Sequence, residues 1–366
     1  MVLCRCTHRL VWITGLFILL IMTVSGCSIA GPSSISRGRS DYNEVINRTD
    51  DEQLLMAIIR NRYGETFNTL AVRSVTANVH IKASAGINVG VGPSESYLGN
   101  LIPLSSGFAY EENPTISYMP VGGERYIQQL LSPIPLNLFL LFTHSVKHPA
   151  LLFKMLITRA NDLWNPVFLK SPSAKPDFRF NQFVELMTDL INAGVLDFVE
   201  SPLENFKFVI ILHDYAPAYT EKIEENLSLL NISMPEDRKA DIVLPVSLSV
   251  GQPKWGGIAF VTRSVYDMME IMSASIDVPE DHARSGLAVM YPTKGLWDNE
   301  VRIQHSGKRP KNASVAVKYR NSWFYIDETD QKTKLVFRLI RTLWSVRITE
   351  TADKTHAVPV LTIPTR

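Results

Sequence analysis

At 366 residues the chain is long enough for one large domain or two medium ones, and 46% hydrophobic against 20% charged residues excludes a disordered or fibrous class. Lys and Arg total 37 against 36 Asp and Glu; so even a balance gives no electrostatic footprint for nucleic acid and argues against a polybasic surface that holds the body on anionic lipid. The three cysteines, Cys4, Cys6 and Cys27, all lie near the start, which excludes a disulfide framework, a Cys-based zinc site and a cysteine nucleophile from the body.

In chain order, Arg5, His8 and Arg9 precede an uncharged run from Leu10 to Gly26. A basic start, an apolar stretch and small residues at its end predict a secretory signal peptide over residues 1–26. The run is short for a membrane span, which needs about 20 apolar residues. Its end, Val24-Ser25-Gly26-Cys27, resembles the lipobox of bacterial lipoproteins. That resemblance implies cleavage before Cys27, diacylglycerol on its sulfur and an acyl chain on the new amino end. More than one acyl chain makes a stable anchor, at about 0.8 kcal/mol per buried CH2. In such proteins an Asp after the cysteine commonly retains the chain at the inner membrane, so Ser28 implies the periplasmic face of the outer membrane. Residues 28–40 are rich in Ser and Gly and have no hydrophobic period, so 27–40 is expected as a lipidated, flexible tether.

The body begins with "DYNEVINRTDDEQLLMAIIRNRYGE". Thr49 and Glu52 have capping-box spacing, Leu54, Leu55, Ile58 and Ile59 form one apolar stripe, and Gly64 is placed to end the helix. Arg60 and Arg62 flank the stripe as solvated or paired side chains. From Val75 to Val91 apolar and polar residues alternate without a break, the period of a half-buried strand. "GFAYEENPTISYMP" reads as the returning strand, making a long β-hairpin over residues 74–119. Residues 122–164 read as helices broken near Pro133, Pro135 and Pro149. Pro166, Pro172 and Pro176 mark a lobe boundary. A helix carrying Phe183, Val184, Met187, Leu190 and Ile191 then ends at Gly194. "VLDFVE", "FKFVIILHDY", "DIVLPVSLSV" and "GGIAFVT" are predicted strands, with helices near 220–230 and 262–276. "SVAVKYRNSWFYID" is strand, turn and strand; a helix with Leu335, Leu339 and Leu343 follows, and "VPVLTIP" closes the chain as a strand. The expected class is α+β. A helical N-terminal lobe with the hairpin (41–165) precedes a C-terminal lobe (177–366) built on a mixed, mainly antiparallel sheet.

Candidate chemistry is sparse. His144 and His148 have i,i+4 spacing, but Pro149 follows and no carboxylate completes a ligand set, so they read as surface histidines. Asp327, Glu328 and Asp330 lack calcium-loop spacing and read as acidic caps at a helix start. His213 and Asp214 sit at a strand end, where adjacent side chains point to opposite faces, which argues against an acid–base pair. "GINVGVG" has no following Lys-Ser/Thr and is not a phosphate loop. Neither H-E-x-x-H nor G-x-S-x-G occurs. No catalytic, cofactor or metal residue is therefore assigned; the single site residue is Cys27, for lipidation.

Several blocks together, "DYNEVINRTDDEQLLMAIIRNRYGE", "PTISYMPVGGERYIQQLLSPIPL", "SVAVKYRNSWFYIDETDQKTKLVFRLI" and "VPVLTIPTR", resemble a family of uncharacterised lipoproteins from Gram-negative bacteria. The likeness covers most of the mature chain and implies no residue role beyond that of Cys27. Where relatives often carry a proline after the Arg-Tyr of the first helix, this chain has "GETFNTL". The expected function is that of an outer-membrane-anchored structural or protein-interaction component of the envelope, not an enzyme, that meets the membrane through Cys27 and binds an envelope protein partner. The alternative is a subunit of an oligomeric channel or export complex using the hairpin, and after it an envelope hydrolase.

Overall fold

The computed structural model describes residues 27–76, 79–87, 104–112, 115–145, 148–167, 177–201, 206–213, 217–234, 241–249, 256–291, 300–353 and 361–364. The protein is α+β, and its contacts divide it into two units. One unit comprises Met1–Asp50, Ala71–Met119 and Pro359–Arg366; the other comprises Asp51–Leu70 and Pro120–Val358.

In the first unit the alternating run forms two strands, β1 (Thr69–Thr76) and β2 (Val79–Ile87). Strand β3 (Leu104–Glu112) returns beside β2 in an antiparallel ladder running from Val79↔Glu112 to Ile87↔Leu104 without a slip. Period-two patterning pins such a register, because a one-residue slip exchanges the two faces. Strand β4 (Thr115–Val121) continues the return and lies between β1 and a strand from the other end of the sequence. That strand, Leu361–Pro364, pairs antiparallel with β4 from Leu361↔Tyr118 to Pro364↔Thr115. The predicted hairpin and closing strand are both present. Residues 1–26, where a signal peptide is expected, and the end of the alternating run at residues 88–91 lie outside the described residues.

Two expectations at the N-terminus need correction. Helix α1 spans Cys27–Arg62, so residues 27–40 carry helical backbone rather than a tether. Ser, Gly and Pro are poor helix formers, but propagation from an existing helix adds one bond per residue and avoids the cost of a new nucleus. Thr49 accordingly lies inside α1 and is not its cap; its hydroxyl donates to the Ile46 carbonyl at 3.0 Å. The apolar stripe and the helix end are as predicted. Leu54, Leu55, Ile58 and Ile59 are fully buried, and Gly64 has φ +66°, the left-handed conformation that glycine adopts without strain.

The second unit is built on a six-stranded sheet. Its strands are β5 (Ile157–Ala160), β6 (Leu163–Trp164), β7 (Leu196–Glu200), β8 (Phe208–Leu212), β9 (Ile242–Leu248) and β10 (Ile258–Thr262), in the order β6-β5-β10-β9-β8-β7. Only β9 and β10 run parallel. Helices α2 (Glu124–Leu131), α3 (Leu136–Ser145) and α4 (Pro149–Leu156) break at the predicted prolines. Helix α5 (Arg179–Asn192) ends one residue before its Ala193–Gly194 turn. Phe139 of α3, Phe153 of α4, Phe198 of β7 and Phe260 of β10 join in one aromatic cluster, with Phe139 centroids 5.5–5.9 Å from the other three. Edge-to-face pairs of this kind add about 0.5–1.5 kcal/mol beyond burial.

The proline-rich stretch around residues 166–176 does not divide two lobes. Residues 157–164, expected as helix, form the β5–β6 hairpin, and β5 pairs with β10 (Phe260↔Ala160). Asn161, at φ +47°, turns this hairpin and ties it down: its Nδ2 donates to Leu230 O at 3.0 Å and Gly257 O at 3.3 Å, and its Oδ1 accepts from Ala259 N at 2.8 Å. Asn tolerates the left-handed conformation and brings both a donor and an acceptor, which explains its place at this turn. A Cβ on Gly257 would collide with the Pro245 carbonyl, so glycine is required where β10 starts beside β9.

Three further helices follow: α6 (Thr220–Leu229), α7 (Val265–Ala274) and the short α8 (Glu280–Arg284). A second, three-stranded sheet has the order β11-β13-β12, with β11 Gln304–Ser306, β12 Ala313–Tyr319 and β13 Ser322–Asp327. The long helix α9 (Gln331–Asp353) buries Val336, Ile340, Leu343 and Trp344, and its Arg341 Nε meets Asp51 of α1 at 3.1 Å.

Candidate functional site

Cys27 is the first residue of α1, and its side chain is outside those described. His144 belongs to α3, whereas His148 is exposed and precedes Pro149 at the start of α4, so the pair does not share one helix face. Asp330 caps α9 as expected: Thr333 N donates to its Oδ1 at 3.0 Å and Thr333 Oγ1 to its Oδ2 at 2.6 Å. Asp327 accepts from the Thr329 hydroxyl at 2.6 Å and from Thr329 N at 2.9 Å, and these bonds hold its carboxyl below the usual range.

Asp214 lies outside the described residues, and the structure gives His213 other partners. Its Nδ1 meets Asp241 at 2.9 Å and its Nε2 meets Asp197 at 3.1 Å. The three come from the ends of β9, β7 and β8, where His213 N also donates to Val195 O at 2.8 Å. Burial lowers the imidazole pKa, but the hydrogen bonds and charges of Asp241 and Asp197 outweigh it and raise the value above 6.5. With both nitrogens bonded to carboxylates, the ring is an imidazolium that clamps three strand ends. Asp197 and Asp241 were visible only as strand-start residues; pairing them with His213 requires the strand order.

A second cluster joins α1 to the three-stranded sheet. Tyr63 Oη lies 2.7 Å from Nδ1 of buried His282, and Tyr319 Oη donates to Glu65 at 2.6 Å. The Arg320 guanidinium sits 5.4 Å from the Tyr63 ring centroid and bonds Glu65. Burial, with Tyr319 adding to it, pushes the Tyr63 hydroxyl up to about 12, so it stays protonated at neutral pH. The bond from Tyr319 holds the Glu65 carboxyl below its ordinary value.

Two buried arginines behave differently. Arg263, after β10, donates from Nη1 to Lys154 O at 2.8 Å and Met155 O at 3.3 Å and from Nη2 to Val167 O, carbonyls left over at the end of α4 and in the loop after β6. Complete burial lowers its pKa to about 10, so it remains a cation at neutral pH. Arg62 was expected to be solvated or paired; it is buried, and among the described residues it forms no ion pair. It is 7% exposed, its guanidinium lies 4.7 Å from the Tyr291 ring centroid, and its Nε and Nη1 have no hydrogen-bond partner. The α1 stripe pulls it inward, because residue 62 follows Ile58 by one turn.

The outer face of the three-stranded sheet carries a different arrangement. Phe324 and Ile326 of β13 are fully buried, so Trp323 and Tyr325, which alternate with them, face outward and are half-buried. Register places Lys318 of β12 and Ser306 of β11 on either side of Trp323, and Ala316 and Gln304 on either side of Tyr325. The Arg309 guanidinium covers the Trp323 ring at 5.3 Å, and Tyr325 Oη donates to Gln304 at 2.9 Å. Residues 303–326 contain Lys308, Arg309, Lys311, Lys318 and Arg320 and not one Asp or Glu. Lys308, Arg309, Lys311 and Lys318 are exposed, and among the described residues they form no ion pair. The even overall charge therefore does not describe this surface: summing over the chain conceals a local excess of cations.

Among the described residues no group of three or more His, Cys, Asp or Glu side chains is placed to hold a metal ion, and no helix is long and apolar enough to cross a membrane. No family model matches the chain, and neither curated proteins nor solved structures give a match.

Proposed function

We propose that this chain is a lipid-anchored lipoprotein of the bacterial envelope, held at the periplasmic face of the outer membrane, whose body is a structural or protein-interaction component rather than an enzyme. The observation that carries the reading is Val24-Ser25-Gly26-Cys27 behind a basic start and an uncharged run, with no cysteine after it. The polar clusters support a binding body. His213 commits both nitrogens to carboxylates, Tyr63 is held protonated against His282, and Arg263 ties loose carbonyls. These are locks between elements, and function has to be argued from a site rather than a fold.

The test is the intact mass of the protein purified from its native membranes. The expected form lacks residues 1–26 and carries added acyl mass on Cys27, and Cys27→Ser blocks that maturation. A full-length, unacylated wild type overturns the reading. The nine-residue β2–β3 ladder favours one further reading, a channel subunit, because strands of about 9–11 residues cross an outer membrane. A wild type that runs as a detergent-dependent ring, with Ile81→Lys folded but monomeric, selects that reading; a detergent-free protein destabilised by Ile81→Lys selects the first.

A further inference from the structure

We propose that the outer face of the three-stranded sheet is a membrane-docking surface, which binds the phosphate headgroups of anionic lipid through Arg309, Lys318, Lys308 and Lys311 beside Trp323 and Tyr325. The choice of a membrane rests on the reading of Cys27 as a lipid anchor, which brings the chain to a bilayer; the surface itself is independent of that reading.

Charge complementarity defines the partner as an anion. Cations elsewhere in this part of the chain are neutralised: Arg302 by Asp277, Lys332 by Glu300 at 3.4 Å, Lys334 by Glu328, and Arg320 by Glu65 at 3.3 Å. The four cations on or beside the outer face are not, and residues 303–326 hold no acidic residue to pair with them. Trp323 sits between Lys318 and Ser306 and beneath Arg309. A guanidinium resting on an aromatic face keeps its N–H edges directed sideways, where they meet phosphate oxygens. The aromatic pair favours a bilayer over a soluble polyanion. Trp and Tyr partition to the headgroup level of a membrane, while Lys and Arg beside them meet the charged leaflet. The faces of the sheet are also divided correctly, since Val315, Val317, Phe324 and Ile326 are committed to the interior and leave the other side free.

The experiment is flotation of the mature chain, residues 27–366 with Cys27→Ser so that no acyl group contributes, with vesicles of phosphatidylcholine alone or mixed with phosphatidylglycerol. Binding is expected only to the anionic vesicles and is expected to weaken steeply as salt is raised. Neutralising one cation, as in Arg309→Gln or Lys318→Gln, should weaken binding about five-fold, and neutralising both with Lys308→Gln roughly a hundred-fold. Lys332→Gln and Lys334→Gln, whose cations are already paired, should leave it unchanged. Circular dichroism melts show whether each variant is folded, and binding is compared only between folded forms. Equal binding to neutral and anionic vesicles overturns the proposal, as does anionic binding that survives the triple substitution. Capture by soluble polyphosphate without vesicle binding also overturns it and assigns the face to a soluble polyanion. Because this chain is unacylated, its outcome does not depend on the mass measurement that tests the anchor.

Discussion

The two sheets of the second unit hold most of their positive charge differently. Around the six-stranded sheet three cations are tied into the fold, while Lys207 just before β8 is exposed beside the Phe208 ring. Arg263 is capped by backbone carbonyls, His213 stands between two carboxylates, and Arg159 bonds Asp162 at 2.9 Å. On the outer face of the three-stranded sheet the cations stand in solvent beside aromatic rings with no carboxylate among residues 303–326. An enclosed charge is part of the fold, and removing it leaves its partners unsatisfied in a medium that penalises them. An exposed, unpaired charge contributes almost nothing to the fold and remains available to a partner. The same residue type therefore marks structure in one sheet and binding in the other, and the distinction lies in partners rather than in the residue.

The sharpest way to break this comparison is Arg263→Met. The thioether fills part of the space but strands the carbonyls of Met155 and Val167 and leaves that of Lys154 with the Asn165 amide alone, so a loss of roughly 3–5 kcal/mol is expected by urea unfolding. A loss below about 1 kcal/mol would show that these carbonyls find other donors and that the enclosure is incidental.

How much of this was legible in the sequence depended on range. Elements set by local pattern were readable: the period-two hairpin, the α1 stripe with Gly64, the proline breaks before α3 and α4, and the Asp330 cap. Elements set by tertiary pairing were not. "ITRANDLW" is short and lies after a helix, and nothing local shows that Ala160 opposes Phe260 about a hundred residues later. The tether failed for the related reason that helix propagation from a neighbouring stripe overrides local composition. The His213 clamp needs the order β9-β8-β7, which no spacing reveals. The basic face was legible as an acid-free stretch, but a charge count over the whole chain averages it away. That its cations are unpaired follows only from the register around Trp323.

The second test of the comparison is pH. The folded pKa of His213 lies above the unfolded value of 6.5, so its contribution is fully present below about pH 6.5 and fades as the pH rises through the folded value. Denaturation of the wild type from about pH 6 to 9 should show this decline, and His213→Gln should flatten it. The size is modest, under about 1 kcal/mol, because the clamp is partly open to solvent. A variant as pH-sensitive as the wild type would mean that the titration belongs elsewhere.

The smallest expected effect is the one that separates the two sheets most cleanly. Lys318→Gln keeps the first two methylenes of the stem beside Trp323 and replaces the charge with a neutral amide, and among the described residues that charge has no ion-pair partner. Its unfolding free energy should stay within about 0.5 kcal/mol of the wild type, the range of ordinary surface substitutions. Relief of repulsion among Lys308, Arg309, Lys311 and Lys318 would make the small change stabilising at low salt and absent at high salt. A destabilisation of about 3 kcal/mol or more, the lower bound expected for Arg263→Met, would place Lys318 among the enclosed cations and remove the distinction. A near-neutral or stabilising result combined with weakened binding to anionic vesicles means that the charge serves a partner and not the fold, because only a group with no structural role can lose its charge at no cost to stability and still change what the surface binds.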